Sequence, residues 1–119
     1  MSDIESTSKD GIRVARICVS QIVGEEYVHR TGIELSKILN EMEEPALVLD
    51  LGSVKMMASA MIGKMVFING QCKQKKIGFS VCSLGKEVSE AIHLTQIDKI
   101  LPIFEGQAEA IAAANAKTA

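Results

Sequence analysis

The chain is expected to fold as one α/β domain, a mixed sheet of four or five strands flanked by about four helices. Three observations predict this. Short runs rich in Val, Ile and Leu alternate with longer amphipathic stretches, in the order strand, helix, strand, helix, four times over. The run Leu47 to Leu51 is broken only by Asp50, and reads as a strand covered on both faces, as in a parallel sheet. A length of 119 residues with 47% hydrophobic residues suits a single domain with a real core.

The first ten residues are polar and weakly patterned. Residues 1–8 read as either a frayed end or an added edge strand, which leaves the core of a single domain, 1–119, over about 9–112. Ile12 to Val19 has partial alternation and reads as a strand. Ser20 to Gly24 either extends that strand or turns away from it. Glu25 to Met42 is a helix, with an apolar stripe of Ile33, Leu35, Ile38, Leu39 and Met42. Gly32 inside it costs about 1 kcal/mol relative to Ala, and Pro45 enforces the stop. After the central strand, Gly52 and Ser53 turn the chain.

Ser59 opens a second helix running to about Lys75, since Ser is a preferred residue at a helix start. Met61, Met65, Ile68 and Cys72 fall on one of its faces. The run Lys73 to Lys76 places cations where the helix dipole favours them. Ile77 to Val81 is the next strand. Leu84 to Leu94 is a short helix with Val88, Ala91 and Ile92 inward. Ile100 to Phe104 is a last strand, and Pro102 places it at an edge. Gln107 to Ala116 is an alanine-rich helix. Only Ile111 anchors it substantially, so it is expected to be the most expendable element.

Composition removes several function classes. With 13 basic and 15 acidic residues the net charge is −2, which gives no basic surface for nucleic acid. No run of 18 or more apolar residues is present, so no membrane span is expected. The polar, acidic N-terminus is unlike a signal peptide. Cys18, Cys72 and Cys82 all sit in apolar patterns and are odd in number, which reads as buried reduced thiols in a cytoplasmic protein.

Motifs for catalysis and cofactors are missing. Gly63-Lys64 superficially suggests a phosphate-binding loop, but that loop needs Gly where Ala58 stands and Ser or Thr where Met65 stands. His29 and His93 lie far apart, with no Cys or Asp at ligand spacing, so no metal site is expected. No Gly-x-Ser-x-Gly elbow occurs, and Cys82 has no activating neighbour. A small enzyme or nucleotide-binding protein is therefore disfavoured, and no cofactor is expected. Two polar residues stand out. Asp50 either accepts backbone N–H bonds to fix the turn, or is a functional group at the carboxyl end of a strand, where α/β domains place their sites. Ser59 is either a plain helix cap or an exposed hydroxyl beside unpaired N–H groups, where an added phosphate is well received. Met57 and Met61 are either core or adaptable contact residues.

The series Leu47-Val-Leu-Asp-Leu51, Val54, a serine-centred turn and Ile62-Gly63 resembles the STAS domain of anti-sigma-factor antagonists. Ile77-Gly-Phe-Ser-Val-Cys82, then Val88 to Ile92, Leu94-Thr95, Ile97 to Ile103, and Glu109-Ala110 extend the resemblance over roughly Lys9 to Ala112. It implies a small cytoplasmic switch protein without an active site. In that family a serine at this helix start is phosphorylated by a serine kinase that is also the anti-sigma factor. The unphosphorylated form binds the kinase and frees the sigma factor, and a phosphatase resets the system. The usual motif is Asp-Ser-Ser-Gly, with the first serine as acceptor. Ala58, Ser59, Ala60 and Met61 match it here, which puts Ser59 at the acceptor position and Asp50 at the strand-end aspartate. Met57, Ala58, Ala60 and Met61, with Asp50, then fall in the partner-binding region. Three residues depart from the pattern: Ala58 for the acid, Met61 for Gly, and Gln96 where Gly is common. The alternative implied is a STAS scaffold or ligand-sensing module that is not phosphorylated.

Overall fold

The alternation of strands and helices is realised in a five-stranded sheet with helices on both faces. The computed structural model describes residues 3–118. The strands are β1 (Ile4–Lys9), β2 (Ile12–Ile17), β3 (Gln21–Ile22), β4 (Ala46–Asp50), β5 (Met56–Met57), β6 (Gly78–Cys82) and β7 (Ile103–Phe104). The helices are α1 (Glu25–Glu41), α2 (Ser59–Gln74), α3 (Lys86–Leu94) and α4 (Gln107–Thr118), with a 3₁₀ turn at Ile97–Lys99. The main sheet has the order β1-β2-β4-β6-β7. Its pairs are parallel except for β1 against β2.

Ile4–Lys9 form the edge strand rather than a frayed end, and residues 1 and 2 lie outside the described residues. Asp10 and Gly11 both have positive φ, 53° and 79°. A two-residue turn of that hand matches the twist of a hairpin, and Asp-Gly is among its preferred sequences. β4 is the middle strand, and all five of its residues are buried. Leu47 and Leu49 face one side with Ala15, Ile17, Phe79 and Val81. Helices α1, α2 and α3 cover that side with Leu35, Leu39, Met61, Met65, Val88 and Ile92. The opposite side of the strands presents Ile12, Val14, Ala46, Val48 and Cys82, and only α4 covers it, through Ala110 and Ile111. That corrects the expectation for the last helix. Its alanines bury little area each, yet without them Val48 and Val14 face water.

Other expectations are also corrected. Ile33 is 55% exposed, and the buried face of α1 is Val28, Thr31, Gly32, Leu35 and Leu39. Gly32 belongs to that face because α2 passes close by. A Cβ on it would lie 3.2 Å from Lys64 Cδ. Of the cysteines, Cys72 and Cys82 are buried and free, whereas Cys18 is free and exposed. Burial pushes the Cys72 and Cys82 thiols up to about 11, which keeps them protonated and unreactive near neutral pH. The last strand is only two residues long and starts after Pro102. Gln96 takes a left-handed backbone, φ 61°, before the 3₁₀ turn. That conformation suits the glycine common there in the resembling family.

One ion pair locks the loop before β4. Arg13 on β2 donates from Nε and Nη2 to Glu44 Oε1 and Oε2, at 3.1 and 2.7 Å. This fork holds the Glu44 carboxyl down to about 2.

Leu49→Ala is expected to cost about 2–5 kcal/mol, as a fully buried branched side chain leaves a cavity. A urea midpoint near that of the parent would show that β4 is not the centre of the core. Glu44 ionises more readily folded than unfolded. Its stabilising contribution is therefore complete above its ordinary value of 4.5 and lost as pH falls toward about 2. Glu44→Gln should flatten the acid limb of the stability curve in that window, and an unchanged limb would contradict the pairing.

Candidate functional site

The carboxyl ends of parallel strands leave a crevice where α/β domains place their sites, and the chain from Asp50 to Ser59 runs along it. Asp50 is 5% exposed. Its Oδ1 accepts the Gly52 N–H at 2.7 Å, and its Oδ2 accepts a hydrogen bond from Gln107 Nε2 at the start of α4. Gln107 Oε1 in turn accepts from Lys9 Nζ at 3.0 Å. The turn-fixing reading of Asp50 is therefore the one the geometry carries, extended to α4 and β1. Gly52 fits closely beside it: a Cβ there would lie 3.1 Å from Asp50 Oδ1, which would have to give by a few tenths of an ångström. Arg16 Nη2 donates to Ser53 Oγ at 2.9 Å, so β2 steadies the same turn. Ser83, at the end of β6, shares a polar groove with Asp50, Arg16 and Gln107.

After the turn the chain makes a feature that the sequence reading lacked. The segment Ser20 to Gly24, left as strand extension or turn, contributes β3 to a second, two-stranded parallel sheet with β5. Ser20 O accepts from Lys55 N and Met56 N at 2.7 and 3.1 Å, and Ile22 O accepts from Ala58 N at 2.9 Å. Main-chain bonds thus place the residue immediately before the helix. Strand parity then fixes which methionine is outside. Met56 is 47% exposed, and Met57 is only 9% exposed.

Ser59 is not the helix cap. Ala58 takes that position, with φ −70° and ψ 150°, and has no polar side chain to offer. Its carbonyl accepts from Met61 N at 2.9 Å. Ser59 is the first helical residue, and both Ser59 and Ala60 are exposed. Their N–H groups have no acceptor among the described residues, as the first turn of a helix leaves them. The first turn carries no acidic residue.

The sequence-derived contact residues divide. Ser59 and Ala60 face solvent and Ala58 is half-buried. Met61 is fully buried among the core residues, and Met57 lies against the same core, so neither presents a contact surface. Met61 fits in place of the family's Gly because its side chain points inward. In their place the structure exposes Met56 and, just past Ile22, Val23, which is 40% exposed. Neither residue has a signal in the sequence, because β3 and β5 are only two residues long each.

Elsewhere, His93 Nδ1 lies 2.9 Å from Asp98 Oδ2 on the exposed surface. No group of three or more His, Cys, Asp or Glu among the described residues has the geometry to hold a metal ion. No helix among them is long and apolar enough to cross a membrane.

Removing the Asp50 carboxylate leaves the Gly52 N–H and the Gln107 amide without their acceptor. Asp50→Ala is expected to cost about 1–3 kcal/mol in urea unfolding. A loss below about 0.5 kcal/mol would mean that the turn is self-supporting.

The family model of the STAS domain matches residues 4–110. The fold is similar to that of an anti-sigma factor antagonist from Mycobacterium paratuberculosis, at 22% identity and TM-score 0.84, covering 94% of this chain and 92% of that one. An anti-sigma-factor antagonist (STAS) domain protein from Planctomyces limnophilus is similar at 23% identity and TM-score 0.78, covering 96% and 98%. The anti-sigma factor antagonist SpoIIAA in its unphosphorylated form is similar at 10% identity and TM-score 0.77, covering 95% and 96%.

Proposed function

Because the chain belongs to the STAS-domain family, we propose that it is a regulatory protein-binding module that works as an anti-sigma-factor antagonist does, by partner switching controlled at Ser59. The observation that carries this reading is the placement of Ser59. It is exposed, it is the first residue of α2, its side chain bonds to nothing among the described residues, and free N–H groups stand beside it. Similarity to anti-sigma factor antagonists, one of them in its unphosphorylated form, supports the same reading.

The partner in this proposal is a cytoplasmic serine kinase that is also the anti-sigma factor, and a phosphatase resets the switch. The module has no active site and no cofactor of its own. Unmodified, it offers the kinase a mixed surface of Ser59, Ala60, Ala58, Met56 and Val23. Met57 and Met61 lie in the core beneath that surface, and Asp50 fixes the turn that leads to it. A phosphate on Ser59 adds about −1.5 to −2 charges. The helix N-terminus accepts that charge, while a partner face built for small neutral side chains does not. The alternative is a STAS scaffold or ligand-sensing module that is not phosphorylated. The absence of any acid in the first turn of α2 favours it, since Ala58 replaces the usual Asp.

Co-expression with a serine kinase encoded beside this chain is expected to place one phosphate on Ser59, more slowly than in members that keep the Asp. Ser59→Asp should fold normally, with a stability change of about 0.3–1 kcal/mol in its favour, and bind the kinase weakly. Ser59→Ala should bind constitutively. Mass spectrometry paired with pull-downs of the three forms decides the matter. An unmodified Ser59 with three equal pull-downs would leave the scaffold reading in place.

A further inference from the structure

The second face of the sheet holds a cavity away from Ser59. Its floor is the beginning of β4 and β6, where Ala46, Gly78 and Ser80 lie, and its roof is Ala110, Ala113 and Ala114 of α4. Small side chains above and below leave about 270 Å³ between helix and sheet. Interiors are close-packed, and voids larger than a water molecule are few. Three further facts give this one a chemical character. Phe104, half-buried, closes the side toward the sheet edge. Lys76, just before β6, and Lys117, in the last turn of α4, both line the same end and are exposed. Ser80, two residues further along the face than Gly78, is only 8% exposed and lines the cavity.

Each lysine also closes the carboxyl end of a helix, where a cation is favoured. That role does not require the void between them. An apolar chamber with one buried polar group at its inner end and two cations at its mouth has the composition of a ligand pocket. Its size is that of a single ring rather than of a nucleotide.

We propose that this cavity binds a small amphiphilic carboxylate. The carboxylate sits between Lys76 and Lys117, a ring-sized apolar body lies between the alanines and the sheet, and a hydrogen-bonding group at the far end meets Ser80 Oγ. The site does not depend on whether Ser59 is phosphorylated.

The test is a titration of the full chain followed by amide chemical shifts, with three probes of one shape. 4-Hydroxyphenylacetate carries both polar ends, phenylacetate lacks the hydroxyl, and tyramine replaces the carboxylate by an ammonium. 4-Hydroxyphenylacetate should give saturable shifts at Gly78, Ser80, Ala113 and Ala114. Phenylacetate should bind roughly threefold to tenfold more weakly, the worth of one hydrogen bond, and tyramine should leave these amides unmoved. Ser80→Ala should make the two acids equal, and Lys76→Gln with Lys117→Gln should weaken both alike. Ala113→Leu, which fills the chamber, should abolish binding; where that variant does not fold, Ser80→Ala carries the test. No saturable shift with either acid, tyramine binding as well as the acids, or a hydroxyl preference that survives Ser80→Ala would overturn the proposal.

Discussion

Burial of β4 on both faces is the constraint from which the rest of the structure follows. A strand with five consecutive buried residues needs a hydrogen-bonded neighbour on each edge and a cover on each side. Parallel pairing with β2 and β6 supplies the edges, and parallel pairs require crossovers long enough to hold a helix. Three of the four helices gather on one side, which leaves α4 to cover the other alone. Asp50 is the single charged residue on this strand. It is tolerated there because the Gly52 amide and Gln107 satisfy it. Through Gln107 and Lys9 the same carboxylate ties the central strand to the last helix and to the first strand.

The helix-opening serine inherits its position from this arrangement. β4 delivers the chain to the crevice, Asp50 and Arg16 shape the turn, and the short β3–β5 pairing carries it to Ala58. The hydroxyl then emerges at the end of a helix whose opposite face, Met61, Met65 and Ile68, is sunk in the core. A modification there meets solvent and leaves the packing beneath untouched. That separation of surface chemistry from core packing suits a module whose state a partner must read without unfolding it.

The larger elements were legible because periodicity reports burial, and burial is what the long elements do. The run at β4, the Met61–Cys72 face of α2 and the Pro102 edge all follow from local pattern. What escaped depends on contacts distant in sequence. β3 and β5 are two residues each, too short for any period, and exist only because residues 20–22 meet residues 55–58. Without that pairing the parity of Met56 and Met57 has no reference, so the exposed methionine is not recognisable from sequence. A one-residue shift exchanges the two faces of a strand. Ile33 failed for a related reason: helical spacing identifies a stripe, but Gly32, which gives no apolar signal, lies on the buried face against the Lys64 side chain of α2. The capping role assigned to Ser59 missed by one residue, within the usual uncertainty of a helix boundary.

The pairing between β3 and β5 is made entirely of peptide groups. Ser20 and Ile22 offer carbonyls, and Lys55, Met56 and Ala58 offer amides. Side-chain identity at the exposed positions among them, Ser20, Lys55 and Met56, is therefore free to drift over generations without loosening the junction, proline at a donor position excepted, whereas Ile22 is held by the core it is buried in. The frame that presents the α2 start is in this sense blind to the residues it presents. Such a frame can outlive the recognition code written on it. An acidic neighbour can become Ala58 and a glycine can become Met61 while the presented hydroxyl stays where it was. On the proposed reading, divergence at this site concerns which partner is addressed, and it carries little information about whether the presenting scaffold has decayed.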